Sequence, residues 1–319
     1  MNMNLALSTR RRPYLLAMVV FLVLCVINTI LQPSFLRFGV AASNVAAFLP
    51  MALVAIGQTY VVLASDIDLS AGTIVSLVNV VVVSIIDGMG GSGASIALGL
   101  AVGLTLGLVA GLFNGLCVAV LRFQPIVATF ASGIVFAGIA LWILPEAGKQ
   151  VPPVVYEAYA GAILGVPAVV LILLAAMGVA AFVARTPFYY ALRATGGNMQ
   201  AAYQSGVPVA RVRIGAYTMS GLFSALAAFA LVGETASGDP LIGGALTLSS
   251  VTAVVLGGTA LKGCIGGAAG SILGAFILGL INNVIFFAQL PFEWQGLIQG
   301  VIILAALAGG VVMARGRNG

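Results

Sequence analysis

Charged residues are scarce in this sequence of 319 residues. Only 7% are Asp, Glu, Lys or Arg, whereas 61% are hydrophobic. Ordinary soluble domains contain about a quarter charged residues. So few ionised groups cannot cover the surface of a water-soluble globule, and the composition therefore predicts a protein embedded in a lipid bilayer.

Histidine is absent, and the three cysteines, Cys25, Cys117 and Cys264, each lie in an apolar run. These facts argue against a Cys/His metal site, a thiol–imidazole pair and a Ser-His-Asp triad. The sequence also lacks a G-x-x-x-x-G-K-[ST] phosphate loop. We therefore expect no catalytic residue, no metal and no cofactor, which disfavours an integral-membrane enzyme.

Apolar segments follow one another along almost the whole chain. They lie near residues 14–31, 44–64, 70–86, 94–121, 125–144, 163–184, 211–233, 247–260, 264–288 and 295–314. Most have about the 20 residues that a transmembrane helix needs. The sequence predicts an all-α integral membrane protein of about ten helices. It forms one domain, 14–314, between tails 1–13 and 315–319, and a re-entrant pair stays open within 234–260.

The distribution of charge predicts the orientation of these helices. With ten crossings, eleven of the 13 cations lie on the side of both termini, which the positive-inside rule makes the cytoplasm. Arg37 and Lys149 lie on the other side, together with Asp87, Glu146, Glu157, Glu234, Asp239 and Glu293. The net charge of +5 thus reflects topology, and no nucleic-acid partner is expected.

A stripe of glycines marks the fourth segment. One glycine recurs every fourth residue, at Gly99, Gly103, Gly107, Gly111 and Gly115. Small residues at this spacing let another helix approach closely in a membrane. Packing within the subunit is the favoured interpretation, and a dimer seam is the alternative.

Polar residues interrupt the apolar pattern at a few positions. Asp66, Asp68 and Ser70 precede the third segment, where Asp68 or Ser70 can cap the helix. We expect no buried basic partner for the two acids, which disfavours an ion-coupled transporter. Amides in apolar helices either bond between helices or line a path for a neutral polyhydroxylated solute. The path candidates are Asp68, Asn79, Asn114, Asn282 and Asn283.

The stretch of about 185–213 is the longest on the predicted cytoplasmic side. Asn198 is suited to cap a short helix that runs to Gln204, and Gly206 and Pro208 are suited to end it. Such a helix can dock into a groove on a partner, although an ordinary interfacial turn has the same pattern.

Four motifs occur in an order typical of one family. They are Asp66-Ile67-Asp68-Leu69-Ser70-Ala71-Gly72, Gly111 to Gly115 followed by Pro125 to Thr129, Gly196 to Gly206, and Val255 to Thr259 followed by Gly266-Gly267 and Asn282-Asn283. From about residue 30 to 314 the chain resembles permease subunits of bacterial ribose/xylose/arabinose-type ABC importers.

The resemblance implies a fold like that of the vitamin B12 (type II) importers and a location in the bacterial inner membrane, in contact with its lipid. It also implies three partners: a second permease subunit in a homo- or heterodimer, a cytoplasmic ATPase, tandem or in two copies, and a periplasmic sugar-binding protein. The residues Gly196, Gly197, Asn198, Ala201, Ser205 and Gly206 match the helix that couples such permeases to the ATPase. The implied function is monosaccharide import by alternating access.

The chain departs from the family pattern at three places. Ser65 and Asp66 stand where members usually carry two glycines, Thr247-Leu248-Ser249 where many carry Glu-Leu-Asp, and Lys262 where an aromatic residue is usual. The sugar itself is therefore undetermined. A permease of the same fold for a nucleoside, a branched amino acid or a signalling furanose remains an alternative.

Overall fold

The computed structural model describes residues 15–289 and, beyond them, 291, 294, 296–298, 300 and 301. Twelve helices and one short hairpin lie within 15–289. They are α1 (Leu15–Leu31), α2 (Phe38–Leu63), α3 (Ala71–Gly88), α4 (Gly93–Ala119), α5 (Pro125–Ile143), α6 (Pro153–Ala160), β1 (Ala162–Ile163), β2 (Val166–Pro167), α7 (Ala168–Val183), α8 (Pro187–Gly197), α9 (Met199–Gln204), α10 (Val209–Thr235), α11 (Gly244–Leu256) and α12 (Ala268–Phe287). The two strands pair antiparallel.

Within the described residues, six helices are long and apolar enough to cross a membrane: α2, α3, α4, α5, α10 and α12. Helices α7 and α8 make a seventh candidate, bent by 73° between them. The helices α1 and α11 are apolar but shorter. Each predicted segment up to residue 288 thus contains a helix. The tenth, 295–314, and both predicted tails fall largely or wholly outside the described residues.

Helix α10 lies at the centre of the bundle, packed chiefly on α4 and α2. All five glycines of the stripe are buried on α4. A Cβ atom on Gly107 would lie 2.6 Å from the carbonyl oxygen of Gly221, and one on Gly115 2.8 Å from Cα of Ile214. Gly99 faces α3, and Gly103 faces both α3 and Phe229 of α10. The stripe therefore brings α4 against two helices of the same subunit.

Two non-helical segments run beside α3. Residues 64–70 lead from α2 into α3, and Asp66, Asp68 and Ser70 among them are buried. Residues 236–243 lead from α10 into α11, and Gly243 meets the backbone of Gly72 closely. Because backbone polar groups need partners inside a membrane, such segments require side chains to satisfy them.

The two ends of the bundle carry different groups. One end, the hairpin end, holds β1, β2 and the exposed ion pair of Lys149 with Asp87, 3.5 Å apart. The other, the α9 end, holds α8, α9 and the turns at Ser65 and Lys262, which hydrogen bonds connect. Apolar side chains such as Trp142, Phe182 and Leu174 are exposed on the outside of the bundle, as expected for a protein solvated by lipid.

Candidate functional site: the α9 end and the buried polar network

The segment 185–213 forms two short helices, α8 and α9, between the longer α7 and α10. Asn198 separates them and caps α9, since its Oδ1 accepts a hydrogen bond from the Ala201 N–H at 2.9 Å. Helix α9 ends at Gln204, and Gly206 follows with φ +82°, a conformation that favours glycine. The predicted capped helix is confirmed.

Helix α9 projects from the bundle. Ala202 is buried beneath it, whereas Met199 and Tyr203 are 38% and 73% exposed. Of the predicted coupling residues, Gly197, Asn198, Ala201, Ser205 and Gly206 are exposed and Gly196 is buried. The segment thus presents a short rigid helix with apolar side chains on its outer face.

Three parts of the chain meet near the start of α9: the turn after α2, the end of α8 and the turn between α11 and α12. The Cys264 N–H donates to the Leu63 carbonyl at 3.1 Å, and the Arg193 Nε–H donates to the Cys264 carbonyl at 2.7 Å. Gly196 is pressed against Leu63, so that a Cβ atom there would collide with the Leu63 carbonyl. The end of α8 therefore rests on the turn after α2 and on the turn between α11 and α12.

Ser65 and Asp66 make side-chain contacts to the same segment. Ser65 has φ +68°, in the left-handed region that glycine adopts more readily. Its hydroxyl donates to the carbonyl oxygens of Gly196, at 3.2 Å, and Lys262. These bonds connect all three parts of the chain through one side chain.

Asp66 forms a bidentate ion pair with Arg213. The Arg213 Nε and Nη2 atoms donate to the two carboxylate oxygens at 2.9 Å each. The side chains of Arg213 and Asp66 are only 13% and 4% exposed. The expectation that the acids lack a buried basic partner is therefore wrong for Asp66, because the fold turns Arg213, at the start of α10, inward.

Asp68 lies at the centre of a buried network. Its Oδ1 accepts from the Ser70 N–H at 2.8 Å and the Ser70 hydroxyl at 2.6 Å, and its Oδ2 accepts from the Ser220 hydroxyl at 2.7 Å. The Asn114 amide donates to the Ser70 hydroxyl at 2.6 Å. The network thus joins the start of α3 to α4 and α10.

Gln58 completes the surroundings of Asp68. With its amide turned so that the nitrogen faces the Asp68 carbonyl and the oxygen faces the Asp68 N–H, Gln58 pairs with both groups at 3.2 Å. The carboxylate of Asp68 lies at the N-terminus of α3, where the helix dipole favours negative charge.

The predicted path residues fall into two groups. Asp68, Asn79 and Asn114 are fully buried. Asn79 binds the segment 236–243, since its Oδ1 accepts from the Asp239 N–H at 2.9 Å and its Nδ2 donates to the Ser237 carbonyl at 3.4 Å.

The second group, Asn282 and Asn283, lies on α12 toward the hairpin end. Asn283 donates to Asn44 at 2.9 Å and lines an open cleft of about 610 Å³ with Arg37.

Sequence reasoning missed Gln58, Arg213 and Ser220 as members of this site. Gln58 carried the same signal as the four asparagines, an amide inside an apolar helix. Ser220 carried no signal, because serine is common where helices pack in membranes. Arg213 was assigned to a membrane interface from its charge alone. Only the rotation of α10 decides that it faces Asp66.

The comparisons with known proteins agree with one another. Residues 40–307 match the family model described as "Branched-chain amino acid transport system / permease component". The ribose import permease protein RbsC of Bacillus subtilis is 35% identical over 289 residues, covering 89% of this chain and 88% of the relative.

Two further relatives extend the comparison. The autoinducer 2 import system permease protein LsrC of Yersinia enterocolitica is 31% identical, with 80% of this chain and 70% of the relative covered. The Escherichia coli RbsC is 31% identical, with 91% of each covered. No solved structure matches the chain significantly.

Proposed function

The chain belongs to this family of multi-pass membrane transport permeases, and from that membership we propose that it is the membrane-spanning subunit of an ATP-driven importer for a monosaccharide. The similarity to the ribose import permease RbsC of Bacillus subtilis, 35% identical over 89% of this chain, carries the proposal. The sugar is pentose-like or related, because relatives of nearly full coverage are named for ribose import. The chain itself catalyses no reaction, and ATP is hydrolysed on a separate subunit.

The projecting helix α9 supports the assignment of 185–213 as the contact with a cytoplasmic ATPase. A helix held by caps and by the three parts of the chain near its start moves as a rigid unit, so that force applied to Met199 and Tyr203 reaches the bundle. The α9 end then faces the cytoplasm, and both termini lie on that side. This orientation agrees with the basic residues Arg185, Arg193 and Arg211 near α9.

The complete fold in this proposal has about ten membrane helices, as in the vitamin B12-type importers. The six long helices supply most of them. Helix α1, the bent pair of α7 and α8, and the segment 236–256 with α11 supply three more. The tenth is the one that the sequence predicts at 295–314, largely outside the described residues. Residues 14–314 form a single permease domain.

The partners follow from the same proposal. A second permease subunit, identical or different, completes the membrane part, and a cytoplasmic ATPase, tandem or paired, drives it. A periplasmic sugar-binding protein docks at the hairpin end, where Glu146, Glu157, Glu234 and Asp239 lie.

The open cleft near Asn283 suits an entrance for a polyhydroxylated solute. Arg37, Asn44 and Gln32 supply hydrogen-bonding groups there, and Phe286 and Phe287 supply apolar surface. Asp68, Asn79 and Asn114 are bound to other parts of the protein in this conformation. We assign them to the support of the two non-helical segments and expect them to border the path only if those segments move.

Uptake by the assembled importer in proteoliposomes tests this function. Radiolabelled ribose, xylose and arabinose are offered with the binding protein outside and ATP with the ATPase inside. At least one sugar is expected to accumulate, and leucine and a nucleoside are expected not to compete. Accumulation that requires an ion gradient instead of ATP contradicts the proposal, as does ATP-driven uptake of leucine alone.

A further inference from the structure

We infer that Asp66 is a positioning residue that ties the segment 185–213 to the start of α3, so that the two move together during transport. The inference rests on the proposed function. It concerns the ion pair with Arg213 and the neighbouring contacts of Ser65. Neither Asp66 nor Arg213 touches the substrate in this proposal.

The turn after α2 holds the segment 185–213 at two places. Ser65 bonds the carbonyl of Gly196, at the end of α8, at 3.2 Å. Asp66 holds Arg213, near the start of α10, through two bonds of 2.9 Å. The exposed helix α9 lies between these two anchors. Movement of α9 therefore acts on Ser65 and Asp66, which are neighbours in the turn after α2.

The same turn is connected to the start of α3 over a short distance. Asp66 and Asp68 are two residues apart, which allows at most about 7 Å of backbone between them. Asp68 is held by Ser220 and, through Ser70, reaches Asn114. A displacement at Arg213 thus has a continuous route, through the ion pair, two residues of backbone and the bonds of Asp68, to the junction of α3, α4 and α10.

The residue types support a role beyond stability. The fold brings Ser65, Asp66 and the carbonyl of Lys262 to one place. A buried ion pair is a poor source of stability, because desolvation offsets much of the attraction. Its bidentate geometry fixes the relative position of two segments.

Three variants of the assembled importer test the inference: Asp66→Asn, Arg213→Gln and the double variant. Each single variant leaves a buried group unpaired and is expected to lower the melting temperature. The double variant is expected to recover most of that loss. Its sugar uptake per ATP hydrolysed is nevertheless expected to stay about threefold or more below the wild type. A double variant with the wild-type ratio overturns the inference.

Two matched variants distinguish the effect of the geometry of the Asp66–Arg213 pair from the general effect of removing an ion pair or a charge. Asp87→Asn removes the exposed pair with Lys149 at the opposite end and is expected to leave the ratio of uptake to hydrolysis unchanged. Arg213→Lys keeps the charge but loses the bidentate fork, and is expected to lower the ratio without a large change in melting temperature. An Arg213→Lys importer with the wild-type ratio counts against positioning.

Cys264 gives a readout that does not depend on transport. A Cβ atom on Gly197 would lie 3.5 Å from its sulfur, so the thiol reports the contact of α8 with the turn before α12. In a Cys25→Ala/Cys117→Ala background, Asp66→Asn/Arg213→Gln is expected to speed maleimide labelling of Cys264 severalfold. If the wild-type importer moves no sugar, the proposed function is wrong, but the labelling rate still tests whether the pair of Asp66 and Arg213 holds the segment 185–213 in place. An unchanged labelling rate rejects the inference.

Discussion

Two adjacent glycines differ sharply in their surroundings. Gly196 is buried, and a Cβ atom there would lie 2.9 Å from the carbonyl carbon of Leu63 and 3.0 Å from the nitrogen of Cys264. Gly197 is exposed, and its nearest neighbour would be the Cys264 sulfur at an ordinary distance of 3.5 Å. Gly196 is therefore required for packing, whereas Gly197 can accept a side chain.

Alanine at each position checks this difference. Gly196→Ala is expected to lower the free energy of unfolding by about 2 kcal/mol, since backbone atoms must shift. Gly197→Ala is expected to change it by less than about 0.5 kcal/mol. Chemical denaturation of the chain in detergent measures both. Equal effects would contradict the close approach of α8 to Leu63.

The cap of α9 gives a second test at the residue scale. Asn198→Ala removes the side-chain acceptor of the Ala201 N–H and is expected to destabilise α9 by about 1 kcal/mol. Asn198→Asp keeps an acceptor oxygen and serves as the control. Hydrogen exchange of the amides in 199–204 is expected to quicken about fivefold in Asn198→Ala only. Unchanged exchange would show that the packing of Ala202 alone holds the helix.

At the scale of helices, close contact between glycines determines the packing of the bundle. Gly107 and Gly111 on α4 face Gly221 on α10, so the two backbones approach without intervening side chains. In lipid, such contact stabilises helix pairs through van der Waals attraction and not through removal of apolar surface from water. The geometry supports packing within the subunit over a dimer seam for this stripe.

A leucine at Gly107 tests that contact. The first added atom would lie 2.6 Å from the Gly221 carbonyl oxygen and 2.7 Å from the Ala225 Cβ atom. Gly107→Leu is expected to cost about 3 kcal/mol or more, or to prevent assembly of the bundle. Gly138→Leu is the matched control, because a Cβ atom at Gly138 meets no atom within 4 Å. A Gly107→Leu protein as stable as the wild type would show that Gly107 does not pack closely against α10.

On the scale of the whole molecule, charge separates the two ends of the bundle. Arg193 and Arg213 belong to the α9 end, whereas Glu146 follows α5, Glu157 lies in α6 and Glu234 lies in the last turn of α10, at the hairpin end. The positive-inside rule therefore predicts that α9 faces the cytoplasm. The proposed ATPase and binding protein require this orientation.

Single cysteines in a background without Cys25, Cys117 and Cys264 measure the orientation. Gln200→Cys on α9 and Ala147→Cys near Lys149 are both at exposed positions. A membrane-impermeant maleimide added to spheroplasts is expected to label Ala147→Cys at once and Gln200→Cys only after permeabilisation. The reverse pattern would refute the orientation and the assignment of α9 to an ATPase.

Local features of the fold could be read from the sequence. The apolar segments predicted where most helices lie, and Asn198 with Gly206 predicted the limits of α9, because capping and helix ending depend on neighbouring residues. The segment 234–260 resisted prediction. Asn79 and Ser76 on α3 bind the backbone of its non-helical stretch, and residues 148–151 bind it as well. No local pattern encodes these pairings.

The sequence by itself determined that this protein lies in a membrane, where most of its described helices lie and which family it belongs to, since composition, periodicity and ordered motifs are properties of the chain alone. Only the tertiary structure decided the partners of its few polar groups. Asp66 meets Arg213 across 147 residues, and Asp68 meets Ser220 across 152. Such pairs depend on how α2, α3 and α10 are rotated and packed, which the close contacts of glycines and buried side chains determine collectively.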